Sequence, residues 1–284
     1  MIREYYLLTK PGIIRGNILT LIAGFMVGTM HHGFSLPTLL WALIGTSLVV
    51  ASSCVLNNIF DRDIDKYMAR TKTRALVMSR ISVRNAVYYA ITLGVIGFVV
   101  LLIKVNALTA LLGLLGMVLY VIVYTFMKRQ TSYGTIIGSL SGSVPPLAGY
   151  SAAANVIDLT SITLFLSMTC WQMSHFYAIA LYRMNEYKKA KIPLLPIVKG
   201  VSRTKVSVIS YVFGFALTCS TLYLLGAISE ISFLIFVILS TAWICLGVYF
   251  YKTANDTKWG KNMFLFSLIV ISAWCLILSI DSLS

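Results

Sequence analysis

The feature that most constrains this chain is a series of apolar runs, each about 20 residues long and parted by short polar segments. A run of that length spans the hydrocarbon core of a bilayer as a helix. The runs do not alternate apolar and polar residues, so a closed transmembrane barrel is excluded. Only 11% of the 284 residues are charged and 58% are hydrophobic, whereas a soluble domain carries about 25% charged residues. The expected fold is all-α: one polytopic membrane domain over residues 1–284, a nine-helix bundle around a central cavity. The spans fall near 13–30, 38–57, 86–103, 107–127, 133–151, 160–181, 206–226, 230–251 and 263–281. The first run is too long for a cleavable signal segment.

The chain has a net charge of +14, which could suggest nucleic acid, but its placement argues against that. With the N-terminus inside and the spans alternating, the inside segments are 1–12, 58–85, 128–132, 182–205 and 252–262. Counting Arg15 with its helix end, they hold every Lys and Arg except Lys104. That asymmetry satisfies the positive-inside rule and places the C-terminus outside. Most of the basic residues therefore serve topology and attraction to anionic lipid. His31 and His32 fall in an outside turn. The five cysteines lie within apolar runs without metal-ligand spacing and read as packing residues.

The inside segment after the second span begins Asn57-Asn58-Ile59-Phe60-Asp61-Arg62-Asp63-Ile64-Asp65 and holds three of the nine carboxylates in the protein. On a continuing helix Asn57, Asp61 and Asp65 share one face. Oxygen-bearing side chains so stacked suit a hard cation such as Mg²⁺, which takes one or two carboxylates, waters and substrate phosphates. Arg70, Lys72, Arg74, Arg80 and Arg84 follow and could receive those phosphates. The plain alternative is an acidic patch neutralised by arginines at a membrane border.

Two later spans stand out. The fifth carries Gly134, Gly138, Gly142, Pro145, Pro146 and Gly149, which predicts a broken helix packed in the protein interior. The sixth carries His175, the one histidine within a span. An ionisable group there is either functional or a satisfied packing residue. If the helix continues, His175 and Glu186 share a face three turns apart, in a cavity beneath the second basic loop.

These stretches resemble the intramembrane prenyltransferases of the UbiA type. The resemblance rests on Asn57-x-x-x-Asp61-x-x-x-Asp65 with Thr71-x-x-Arg74. Within that superfamily the chain is similar to the heme-farnesylating branch, through Thr9-Lys10-Pro11-Gly12, Tyr133-Gly134-Thr135, Pro145-Pro146, Trp171-Gln172-Met173 with His175, and Ile192-Pro193-Leu194-Leu195-Pro196. The resemblance implies Mg²⁺ held by Asn57, Asp61, Asp65 and Glu186, with Asp61 and Asp65 catalytic. It implies a diphosphate gripped by Arg74, Tyr124 and Lys128, joined by Arg183 and Lys188. The second superfamily motif usually carries several aspartates; here Glu186 alone remains, so one Mg²⁺ is expected. The implied substrates are farnesyl diphosphate and heme B, joined with addition of water to give heme O and diphosphate. His175 would meet the porphyrin as axial ligand or base, or serve packing. The setting implied is a bacterial inner membrane, with both loops cytoplasmic and a heme A synthase or terminal-oxidase assembly as candidate partner. An aromatic prenyltransferase of quinone biosynthesis is the alternative within the superfamily. A secondary transporter is the alternative outside it, favoured by the broken helix and weakened by acids that lie at one face instead of the midplane.

Overall fold

The computed structural model describes residues 2–30, 33–252 and 255–283; His31 and His32 lie outside them. Every regular element among these residues is helical, as a lipid setting requires, because backbone groups there must pair within their own segment. A short α1 (Ile2–Leu8) precedes α2 (Pro11–Thr29). Then come α3 (Leu36–Phe60), the single turn α4 (Arg62–Asp65), α5 (Val83–Lys104) and α6 (Ala107–Val118). A π-helical segment, Leu119–Tyr124, joins α6 to α7 (Thr125–Gln130). The chain continues through α8 (Gly134–Gly142), α9 (Val144–Ala154), α10 (Leu159–Tyr182), α11 (Met184–Lys189), α12 (Leu195–Val198), α13 (Val201–Leu224), α14 (Glu230–Tyr249) and α15 (Asp256–Asp281).

Seven of these stretches are long and apolar enough to cross a membrane: α2, α3, α5, the unit Ala107–Gln130, α13, α14 and α15. They coincide with seven of the expected spans. The expected fifth and sixth spans fall on the α8–α9 pair and on α10, which do not meet that measure among the described residues. Polar side chains set the helix starts. Ser35, Ser82, Asn106, Asp158, Ser229 and Asn255 each accept a backbone N–H of the first turn, satisfying donors that a helix leaves unpaired. Apolar side chains such as Val95, Ile103, Leu111, Ile231 and Ile238 point outward, as suits contact with lipid. The largest inner cluster joins α10, α13, α14 and α15 around Trp243, Trp259 and Trp274.

The broken fifth span is present. The first half ends at Gly142, Ser143 sits between (φ −90°, ψ −6°), and Pro145 and Pro146 open the second half, where a proline loses no hydrogen bond. The second half is pressed against α2. A Cβ on Gly24 would lie 1.9 Å from the Pro146 carbonyl oxygen, and one on Gly149 would lie 2.1 Å from that of Leu21. Backbone meets backbone here, the close approach that glycine permits. The first turns of α2 differ: nothing lies within 4 Å of a Cβ built on Gly12 or Gly16. The two helices are clamped in one half of the bundle and apart in the other.

Two glycine substitutions separate these halves. Gly24→Ala should destabilise the detergent-solubilised protein by about 1–3 kcal/mol through overpacking, whereas Gly12→Ala should leave its thermal unfolding unchanged. Equal unfolding midpoints for the two variants would contradict the clamp.

Candidate active site

The i→i+4 ladder runs through the end of α3. The Asp61 N–H donates to the Asn57 carbonyl at 2.9 Å, and the Asp65 N–H donates to the Asp61 carbonyl at 2.8 Å. Asn57, Asp61 and Asp65 therefore stay on one face although the helix is interrupted at Asp61, and all three side chains are buried. Each takes a cation from elsewhere in the chain. Asp61 Oδ2 accepts from Lys128 Nζ, Asp65 Oδ2 accepts from Arg74 Nη1 at 2.5 Å, and Asn57 Oδ1 accepts from Lys10 Nζ at 2.5 Å. Asp63, more exposed, takes both arms of Arg129 at 2.7 and 2.8 Å.

The Lys128 side chain comes from the end of the π-helical unit. A π turn holds one residue more than an α turn, and Tyr120 and Tyr124 stack across it with ring centroids 5.6 Å apart and planes 10° apart. Lys128 lies over the Tyr124 ring at 4.9 Å, and the Tyr120 hydroxyl donates to Asn57 Oδ1 at 3.3 Å. Gly138 of α8 leaves room for Tyr124, whose Cε2 would lie 3.0 Å from a Cβ there.

Lys10 is a site residue that sequence reasoning passed over. Its backbone is left-handed (φ 53°, ψ 69°), a strain of about 1–2 kcal/mol for a side-chain-bearing residue. Pro11 disfavours the right-handed alternative. Desolvation, with the Arg74 and Lys128 charges acting in the same direction and Asp61 against it, pushes its ammonium down to about 8. The available signal was a lysine directly before a helix-opening proline. Tyr120 was also passed over, although Tyr120-x-x-x-Tyr124-x-x-x-Lys128 repeats one spacing.

The second basic loop differs from expectation. The sixth-span helix stops at Tyr182, and Arg183 (φ −113°, ψ 23°) breaks it before α11. His175 and Glu186 therefore do not share one continuous helix face. Glu186 Oε1 pairs with Arg183 at 3.2 Å, while Lys188 is exposed. The loop still reaches the first one, because Ala190 and Ile192 pack with Ile64 and Met68, and Tyr187 lies against them. Burial pushes the Tyr187 phenol upward. His175 lies apart, its ring stacked on Trp171 with centroids 4.7 Å apart.

The donor set is oxygen throughout, and two buried atoms, Asp61 Oδ1 and Glu186 Oε2, have no hydrogen-bond partner. Among the described residues no three His, Cys, Asp or Glu side chains gather closely enough to hold a metal alone. An amide oxygen, two carboxylates and an unpaired carboxylate atom fit Mg²⁺, which relies on substrate phosphates to complete its shell, better than an ion caged wholly by protein.

Apolar spans bearing acid–cation pairs at one membrane end define a class, and comparison with known proteins agrees: residues 17–269 match the UbiA prenyltransferase family. The chain belongs to that family. Protoheme IX farnesyltransferase of Edwardsiella ictaluri is 43% identical over 282 residues, covering 99% of this chain and 95% of its own. The protein of that name from Yersinia pseudotuberculosis is 42% identical over 282 residues, with the same coverage. Among solved structures, a digeranylgeranylglyceryl phosphate synthase superposes with a TM-score of 0.80 at 19% identity, covering 98% of each chain. A UbiA homologue from Archaeoglobus fulgidus bound to GPP and Mg²⁺ gives 0.70 at 19% identity, covering 97% of this chain and 99% of its own. At those identities the superpositions establish the fold.

The burial of the Asp61–Lys128 pair sets an expectation for stability. Lys128→Met leaves the buried Asp61 carboxylate only the longer 3.6 Å contact with Arg129 and should cost up to about 3–5 kcal/mol. Adding Asp61→Asn should recover most of that loss in thermal unfolding, as coupled neighbours do in a double-mutant cycle. Strictly additive losses would show that the two side chains do not interact.

Proposed function

We propose that this protein transfers the farnesyl group of farnesyl diphosphate to a vinyl group of heme B, giving heme O and diphosphate. Identity of 42–43% to protoheme IX farnesyltransferases over almost the whole chain carries the reading. The site suits the chemistry. Asn57, Asp61 and Asp65, with Glu186 from the second loop, hold Mg²⁺, which supplies positive charge to the departing diphosphate. Arg74, Lys128 and Lys10 stand among the same carboxylates and add fixed cations to that leaving group. Arg183 and Lys188 extend the basic surface on the second loop, and Tyr124 backs Lys128.

In the reaction the allylic C–O bond breaks and its electron pair leaves with the diphosphate. The vinyl π electrons of the heme form the new C–C bond to the farnesyl cation. The cation then formed beside the porphyrin is captured by the oxygen of water, which releases its second proton to solvent. The apolar bundle keeps water from the farnesyl cation before the vinyl group reaches it. Substrate entry from the bilayer follows from the lipid character of the farnesyl tail. The reading also places the protein in a bacterial inner membrane as a single domain of nine spans, with α8–α9 and α10 completing the count. The N-terminus and both loops then face the cytoplasm, the C-terminus faces outward, and the product passes to a heme A synthase or terminal-oxidase assembly.

Membranes carrying the protein, supplied with heme B, farnesyl diphosphate and Mg²⁺, should yield a heme heavier by one farnesyl group and one hydroxyl. The product should vanish without Mg²⁺ and fall at least ~100-fold in Asp61→Asn, the scale on which removal of one electrostatic transition-state group acts. Prenylation of an added phenolic acid in place of heme would overturn the acceptor and keep the chemistry.

A further inference from the structure

His175 is held by a hydrogen bond that bears on which ring nitrogen carries the proton. Its Nδ1 lies 2.7 Å from Ser267 Oγ on α15. A serine hydroxyl has one proton to give, and Ser267 gives it to the Phe264 carbonyl at 2.6 Å. With that proton on the Phe264 carbonyl, Ser267 Oγ accepts from His175 Nδ1–H. In the neutral ring the lone pair then sits on Nε2, which has no hydrogen-bond partner among the described residues. Unlike the unpaired indole nitrogens of Trp243 and Trp274, Nε2 is not among the fully enclosed unpaired atoms.

The ring is fixed as well as oriented. Trp171 stacks on it at 24° between planes, and the Trp171 indole N–H donates to the Ser267 backbone carbonyl at 2.8 Å. Phe264 closes the other side with ring centroids 5.1 Å away, and Phe176 stands edge-on at 5.6 Å. Two turns beyond His175, Tyr182 and Phe264 are stacked. His175 lies seven residues inward from Tyr182, about 10 Å along α10 from the end that bears the acid–cation pairs. A rigid imidazole with a bare Nε2, framed by aromatic faces inside a membrane bundle, suits a flat apolar molecule with an electron-deficient centre. A histidine that ligates metal characteristically donates its other ring N–H to a fixed oxygen acceptor.

We infer that His175 ligates the iron of the heme substrate through Nε2, and that Ser267 is the positioning residue that holds the imidazole in the ligating tautomer. The inference rests on the heme-acceptor reading above. Axial ligation fixes one face of the porphyrin to α10, leaving its edge to meet the farnesyl group.

The test is heme B binding to the full-length protein in lipid nanodiscs, read by absorption and by the iron–histidine stretch in resonance Raman of the ferrous form. Wild type should show that stretch. His175→Ala should lose it, weaken heme binding at least tenfold and regain nitrogen ligation with added imidazole, while still binding farnesyl diphosphate with Mg²⁺ as proof of folding. Ser267→Ala should keep ligation but lower the stretching frequency, because an unpaired Nδ1–H makes a less basic ligand, and Ser267→Thr should restore it. A purely structural role for Ser267 would leave the frequency unmoved. Retention of the stretch and of heme affinity in His175→Ala, with farnesylated heme still formed by wild type, would overturn the ligand and leave the acceptor standing. No heme binding and no heme product in wild type would overturn the acceptor, and the ligand with it.

Discussion

The whole structure depends on burying carboxylates at the border of a membrane. An unpaired buried charge costs several kcal/mol, and neutralising it requires a cation at hydrogen-bond distance. Here Asp61, Asp65 and the Asn57 amide are met by Lys128, Arg74 and Lys10, which arrive from the end of α7, the loop after α4 and the turn before α2. No local segment supplies both members of the Asp61–Lys128 or Asn57–Lys10 pairs. The Asp61–Lys128 and Asn57–Lys10 pairings therefore form only when distant parts of the chain meet at this end of the bundle.

The opposite half of the bundle is held by shape instead of charge. Gly24 and Gly149 let α2 and α9 touch backbone to backbone, and the break at Ser143 lets α8 leave that line. α8 then leans on Tyr124 through Gly138 and on the Gln172 side chain through Gly142. The prolines thus separate a half of the bundle joined backbone to backbone from the half that holds the acid–cation pairs.

Much of this was legible in the sequence. Apolar length is a local property, so seven spans fall where the runs predicted them, and the i, i+4, i+8 placement of Asn57, Asp61 and Asp65 survives the helix break because the hydrogen-bond ladder does. The Pro145-Pro146 break was equally readable, since proline acts on its own turn. What was not legible depends on distant contacts. Nothing around Lys10 announces that it ends at Asn57, and nothing around Arg183 announces that the helix stops there, so the face expected to join His175 and Glu186 dissolved. The partner that orients His175, Ser267, lies 92 residues further on, beyond any local pattern.

The π-helical segment carries one consequence of its own. Between Leu119 and Tyr124 the helix holds a residue more than α geometry would. Removing one of these six residues would let the segment close into ordinary α-helix, still long enough for the bilayer, and the residues on either side would keep their register, so Lys128 would stay opposite Asp61. The side chains inside the segment would not keep theirs: Tyr120 and Tyr124 would lose the spacing at which they stack, and Tyr120 would move off Asn57. The bilayer counts only the length of this helix, whereas the two tyrosines depend on how it is wound. A single-residue deletion there would be silent to the membrane and to the Lys128–Asp61 pair, and would register in the tyrosines alone.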